Sequence, residues 1–335
     1  MRIFNVRSGW FAFVMGPAVM LSMMSAGAQA RTVKDLGTLG GSSSFARGIN
    51  DSGQIVGDST TARGDEHAFL FSPWVGHLQD LGTLGGRFST AEGISNSGQV
   101  VGQATTAADD VSGGAHAFLW VSGTMRALPS LPGALDSEAS SVNDAGQVVG
   151  SSNSRPVIWQ NGRVRALFGT DVNGFATGIS SAGDIVGNVT EAGGSFHGFL
   201  LRNGVAANLD NIVGPQTTAE AVTDSGNVVG GYFPVNSERP HGFLYNFFSN
   251  QVRDLGVLDG GYSFAHAVAS GGLVAGEGGG NTTHAVLWDN NHVIHDLGAL
   301  PGADFSAAFG VNNGGTVVGV SATAQGDEHA AVWLP

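Results

Sequence analysis

The sequence predicts an all-β fold, a seven-bladed β-propeller with four antiparallel strands per blade. Three observations predict it. The stretch Gly48 to Gly57, G-I-N-D-S-G-Q-I-V-G, returns six more times, its last glycine falling at 57, 102, 150, 187, 230, 276 and 319. Two further strand-like motifs accompany each copy. The repeats are also out of phase with the chain ends, so that one end holds the strand the other end lacks.

The period near 44 residues marks a repeat architecture. Each ten-residue copy reads as a β-hairpin. An apolar strand leads into a turn of the N-D-S-G type, where Asn and Asp bond to their own backbone and Gly takes a positive φ. Paired β-branched residues then form the return strand. A third strand follows as H-A-F-L-F at His67, H-A-F-L-W at His116, R-P-V-I-W at Arg155 and H-G-F-L-L at His197. It recurs as H-G-F-L-Y at His241, H-A-V-L-W at His284 and H-A-A-V-W at His329. The outer strand reads D-L-G-T-L at Asp35 and Asp80, D-L-G-V-L at Asp254 and D-L-G-A-L at Asp296, with looser versions around Leu128, Leu167 and Leu209. Four short strands in this span are the content of one propeller blade.

The phase of the repeats predicts closure. The chain after residue 30 opens on an outer strand, Val33 to Leu36, and finishes on a third strand, His329 to Trp333. Blade seven therefore borrows its fourth strand from the N-terminus, which removes the exposed edges of an open array. A β-solenoid is the alternative, but it would need caps at both ends, and none is visible. Small residues early in the first strands (Ala46, Ala91, Ala139, Ala176, Ala219, Ala265, Ala307) suit strands that converge on an axis.

The first 30 residues stand outside the repeats. Arg2 and Arg7, the apolar run Trp10 to Met24 and Ala28-Gln29-Ala30 read as a secretory signal peptide cleaved near Ala30. The domains are then 1–30, the signal peptide, and 31–335, the propeller, in the medium or the periplasm. No cysteine is present, which excludes disulfides and a lipid-linked cysteine. Losing Arg2 and Arg7 moves the formal charge from −13 to −15. So acidic a surface disfavours nucleic acid and anionic membranes as partners. Gly at 54 of 335 residues has no G-X-Y period, so collagen is excluded.

The hairpin turns and the links between third and outer strands should lie on one face. The opposite face takes the second-to-third connections and the links between blades, which vary. Gln103 to Ala115 is long, Ser151 to Ser154 is short, and Gly231 to Pro240 carries Tyr232, Phe233 and Arg239. Variable loops on a rigid scaffold are where binding concentrates. The candidate ligand-binding residues are Asp65, Glu66 and His67, Asp327, Glu328 and His329, and Asp109, Asp110, Tyr232 and Arg239. The two G-D-E-H runs, brought to neighbouring blades by closure, are where a calcium ion or a substrate would sit; ordinary solvated loop charge is the simpler reading, and no cofactor is expected. The recurrent His suits a structural bond to a turn or to the Asp of a D-L-G strand. Successive blades would hold the imidazoles too far apart to share a zinc ion. No metalloprotease H-E-x-x-H, nucleophile elbow or P-loop occurs, and the run Gly278 to Gly280 precedes no helix.

The combination D-L-G-T-L-G-G, G-I-N-D-S-G-Q-I-V-G and H-A-F-L-W resembles the HAF repeat, an extracellular repeat of bacterial proteins. The resemblance covers the whole chain after residue 30. It is tight in blades one and two and loose in three to five, where Arg155-Pro156-Val157 replaces the His-Ala-Phe triplet. It implies export and a repeated β fold, and it transfers no catalytic residue. The expected function is a monomeric, secreted binding module that presents its loops to a glycan or protein partner. The alternative is an extracellular polysaccharide hydrolase or lyase. A cluster of perturbed acidic groups with an arginine in one axial pocket would favour the enzyme.

Overall fold

A computed structural model describes residues 31–109, 114–190, 194 and 196–335. The segment read as a signal peptide, and Asp110, lie outside them. Seven four-stranded antiparallel sheets succeed one another along the chain. Blade one is built of Gly40–Ile49, Ile55–Thr61, Glu66–Phe71 and Leu78–Asp80, from the axis outward. The inner strands of blades two to six are Ser89–Ile94, Ser137–Val142, Asn173–Ile179, Thr218–Val222 and Tyr262–Val268. Blade seven orders Ser306–Val311, Val317–Ala322 and Glu328–Leu334, and its outer strand is Thr32–Asp35. Thr32, Val33, Lys34 and Asp35 pair with Leu334, Trp333, Val332 and Ala331, and the Leu36 amide donates to the Ala330 carbonyl at 2.9 Å. The predicted closure is therefore present. No helix among the described residues is long and apolar enough to cross a membrane.

The apolar core lies between blades rather than within them. Ala46, Ile55, Phe69 and Phe71 of blade one pack on Val318, Ala330 and Val332 of blade seven, so one such layer spans the chain closure. Fully buried Trp159, Trp288 and Trp333 anchor other layers, and the Trp288 indole donates to the Leu255 carbonyl at 2.8 Å. A serine at the head of an inner strand staples consecutive blades. Ser89 Oγ accepts from the Ala68 amide at 2.8 Å and donates to the Gly82 carbonyl at 2.7 Å. Ser44 does the same across the closure, accepting from the Ala330 amide at 2.8 Å. On the turn face the Asn50 side chain donates to the Ser95 carbonyl at 3.0 Å, and Asn312 donates to the Asn50 carbonyl at 3.1 Å. Backbone polar groups thus find partners in the next blade, as buried ones must.

Every inner strand carries a β-bulge, at the residue after its small alanine. In blade one the register shifts between Ala46 and Gly48, and equivalent shifts occur at all six other inner strands. In blade seven the shift follows Ala308, so Ala308 is the seventh member of the alanine series, not Ala307. The bulge explains the repeated final glycine. It brings the Phe45 carbonyl so close to Gly57 that an added Cβ would lie 1.8 Å from it, and at Gly102 the corresponding distance to the Thr90 carbonyl is 1.9 Å. Only hydrogen fits there.

Candidate functional site in the axial channel

A bulge re-aims one side chain. The seven bulged residues are Arg47, Glu92, Ser140, Thr177, Glu220, His266 and Phe309, and all seven line one axial cavity of about 240 Å³. Below them Ile49, Ile94, Val142, Ile179, Val222 and Val311 form an apolar collar that borders this cavity and a second one on the turn face, where Val268 joins it. The turn-face cavity is polar, but its groups already satisfy one another. The Asp51 amide donates to Asn96 Oδ1 at 2.9 Å, and Asn313 Nδ2 donates to Asp51 Oδ2 at 2.9 Å. The bulge-lined cavity lies on the loop-rich side of the collar.

Its charges divide into two groups. Towards blades one to three, Arg47 pairs with Asp58 and lies 3.6 Å from Glu92 Oε1, with its guanidinium 5.9 Å from the Phe45 ring centroid. Glu92 also accepts from the Thr90 hydroxyl at 3.0 Å. Burial pushes Asp58, Glu66, Glu92 and Glu138 above their ordinary carboxyl values, and Arg47 pulls each of them part of the way back. Burial disfavours charge on Arg47 itself, but Glu92 and Asp58 outweigh it and hold the guanidinium protonated. Towards blades five to seven, burial alone pushes Glu220 up to about 7 and His266 down to about 4. Glu220 is half-buried, open to the channel and otherwise enclosed by protein. The His266 ring lies between Phe264, at 5.0 Å, and Phe309, at 5.5 Å. Near neutral pH this half offers a carboxyl poised to gain or lose a proton, an uncharged imidazole and aromatic surface.

The residues chosen from sequence fall in several places. Glu66 adjoins the Arg47 group and shares its field. Asp65 pairs instead with Arg87, at 2.5 Å. His67 and His329 are rim pairs, to Asp80 at 2.9 Å and to Asp35 at 2.8 Å. His241 and His284 repeat the pair with Asp254 and Asp296, each at 2.8 Å. Each of these four aspartates also accepts from the glycine amide two residues on, as Asp80 does from Gly82 at 2.7 Å. The expected bond from His to the D-L-G aspartate is thus present in four blades. In blade two, which lacks that aspartate, His116 Nε2 meets Asp109 at 3.3 Å. Hydrogen bonds from Thr106 hold the part-buried Asp109 carboxyl low. The Tyr232 hydroxyl donates to Asp254 at 3.0 Å, and burial with that bond pushes its pKa up to about 12. Arg239 borders a separate surface groove with Asp259 and His284. The two G-D-E-H runs do stand on neighbouring blades, yet no group of three or more His, Asp or Glu among the described residues is placed to hold a metal ion. Gln103 and Ala104, read as loop, belong to the strand Val100–Ala104.

The bulge residues were missed, although one signal marked them. In the register A-R-G-I-N, A-E-G-I-S, A-S-S-V-N, A-T-G-I-S, A-E-A-V-T, A-H-A-V-A and A-F-G-V-N, the second position alone has no consistent character. Inside an otherwise uniform unit that variation was legible.

No family model matches the sequence, and no curated protein matches it. Among solved structures the chain is similar to the β-propeller domain of the Trilobed protease from Pyrococcus furiosus, described as having an open velcro topology. The TM-score is 0.56 at 12% identity, covering 87% of this chain and 93% of that one. It is also similar to a Mycobacterium tuberculosis puromycin-hydrolyzing peptidase (TM-score 0.59, 13% identity, 89% of this chain and 52% of that one). A third likeness is to Pyrococcus horikoshii acylaminoacyl peptidase (TM-score 0.56, 10% identity, 87% and 51%). The chain thus spans about half the length of these two peptidases. At such identities the likeness extends to the fold alone: this chain is a seven-bladed, four-stranded β-propeller closed by its two terminal strands.

Proposed function

We propose that the chain is a secreted binding module that receives the end of an extracellular glycan in its axial cavity. One observation carries the reading. Seven bulges deliver to one cavity a set of side chains that differs from blade to blade, while the unit around them repeats. A hydroxyl-rich ligand needs carboxylate acceptors, a cationic donor and an apolar face to stack on. Glu92 and Glu220, Arg47, and Phe309 supply these within one enclosure. The volume, about 240 Å³, is below the usual range for drug-sized ligands and suits a single sugar unit. Export rests on the Arg2 to Ala30 pattern and on the HAF-like repeat.

A second reading is favoured by a specific observation. Asp58, Glu66, Glu92 and Glu138 have raised pKa values in the field of one axial arginine, and burial raises Glu220 in the same cavity, a pattern that favours a hydrolase or lyase. Glu220 keeps its proton to about pH 7, as a general acid must. A glycan array followed by a turnover screen on the ligands found separates the two. Binding without product supports the module, and turnover abolished by Glu220→Gln supports the enzyme. Neither binding nor turnover overturns both.

A further inference from the structure

The two halves of the cavity differ in how their polar groups are occupied. Arg47, Asp58 and Glu92 are already engaged with one another. Glu220 and His266 are not. Glu220 has no hydrogen-bond or ion-pair partner among the described residues. His266 Nε2 is fully buried, also without a partner. The two stand at the bulges of consecutive blades, and the His266 ring lies beside those of Phe264 and Phe309. A buried polar atom left unpaired calls for an occupant.

We propose that this half of the cavity binds a small organic ammonium ion, an amino sugar where the glycan reading above, on which the sugar identity rests, holds. A carboxylate, an imidazole lone pair and aromatic faces are the partners an N–H-bearing cation requires. A metal ion needs more ligands than are grouped here, since no three such residues among the described ones are placed to hold one. An anion meets Glu92 across the channel, and the charge of the facing Arg47 is already offset by Asp58 and Glu92. His266 adds no opposing charge, because burial keeps it neutral down to about pH 4.

The groups that face Glu220 are His266 from blade six and, across the channel, Arg47 and Glu92; Ser140, Thr177 and Phe309 do not titrate. Burial pushes Glu220 up to about 7, so a bound cation draws it back down and releases a proton. Affinity for a permanently charged guest therefore rises from about pH 5 to about pH 7 and then levels.

Titration calorimetry of residues 31–335 with glucosamine, glucose and glucuronate tests this, because the three share a frame and differ in charge. Glucosamine should bind at one site, about tenfold more tightly than glucose, with glucuronate the weakest. Below pH 7 proton release should appear as a dependence of the heat on the buffer. Glu220→Gln, which keeps the shape, should cost about tenfold in glucosamine affinity and abolish the proton release. Asp304→Asn, on an exposed link, should change neither. Equal affinity for glucose and glucosamine overturns the ammonium inference and leaves the glycan reading standing. Failure of glucosamine to bind, or unchanged binding by Glu220→Gln, overturns it too, and the glycan array then judges the wider reading by itself.

Discussion

Where the third strand of a blade meets its outer strand, blades one, five, six and seven carry the same His–Asp pair, at 2.8 to 2.9 Å. Where the inner strand meets the axis, seven blades present six residue types. The rim pair is tied into the fold by a further bond from a glycine amide, and all its members do one job. The axial residues are held out of the sheet by a bulge, so their identity costs the ladder little. In a repeat protein, sameness therefore marks what every blade needs, and variation at one fixed backbone position marks what the whole wheel needs once.

The largest expected effect falls on the scaffold. Deleting residues 31–41 removes the fourth strand of blade seven, with about five hydrogen bonds at roughly 1 kcal/mol each and the packing of Val33 and Leu36 on the inter-blade core. The melting temperature should drop by about 10 °C or more, and blade seven should become open to proteolysis. A smaller deletion on the same blade should spare the melt, but it must be confined to 323–327. Ser321 and Ala322 belong to the strand Val317–Ala322, and Ser321 Oγ accepts from the Leu300 amide at 2.8 Å.

The next effect tests the bulge itself. Gly102→Ala puts a methyl 1.9 Å from the Thr90 carbonyl, which forces the ladder apart and should cost about 2 to 4 kcal/mol. At Gly123 the φ of 88° disfavours alanine, but nothing lies within 4 Å, so Gly123→Ala should cost only about 1 kcal/mol. Comparing the two by urea melts measures the close approach apart from the backbone conformation.

Rim and axis should then separate by pH. Glu220 binds its proton more tightly folded than unfolded, so its contribution is full below the unfolded value and is lost as pH rises from about 4.5 to about 7. The loss amounts to about 2 to 4 kcal/mol. His266 runs the other way. Its folded pKa is depressed to about 4, so stability is lost as pH falls from about 6.5 towards 4. The two slopes oppose each other in weak acid. Glu220→Gln should be more stable than the parent at about pH 8 and should steepen the acid loss, whereas His266→Phe should flatten it. Melting curves across this range read both.

The smallest effect belongs to the rim. His284→Ala leaves Asp296 with its Gly298 bond, at 2.8 Å, and removes one partly exposed contact, a cost of about 1 kcal/mol. Ligand binding should not change.

Architecture was legible in the sequence because it is periodic. Seven copies of the hairpin gave the blade count, the turn glycine gave a positive φ that is found at Gly53, at 78°, and the spare D-L-G copy gave the closure. The rim bonds of His67, His241, His284 and His329 were legible for the same reason. The axial site was legible only as variation at one position of an otherwise uniform unit, because a bulge is a one-residue shift of backbone register and leaves no residue type of its own. The charged loop tips at Asp65 and Asp327 are more conspicuous in the sequence, yet only Glu66 among the G-D-E-H residues adjoins the axial group. Tyr232 and Asp109, read as surface candidates, are committed to Asp254 and to Thr106 and His116.

The proposed function rests on the bulged ring, with the repeat as its support. The most direct measurement exchanges that ring for the residue types that blades three and four already carry there, as Glu92→Ser, Glu220→Thr and His266→Ser in one chain. Its melting temperature and its binding of the glycan-array ligand are then read beside those of the parent. The fold should be retained to within a few degrees and binding lost by about a hundredfold or more. Binding at parental strength by the exchanged chain would contradict it.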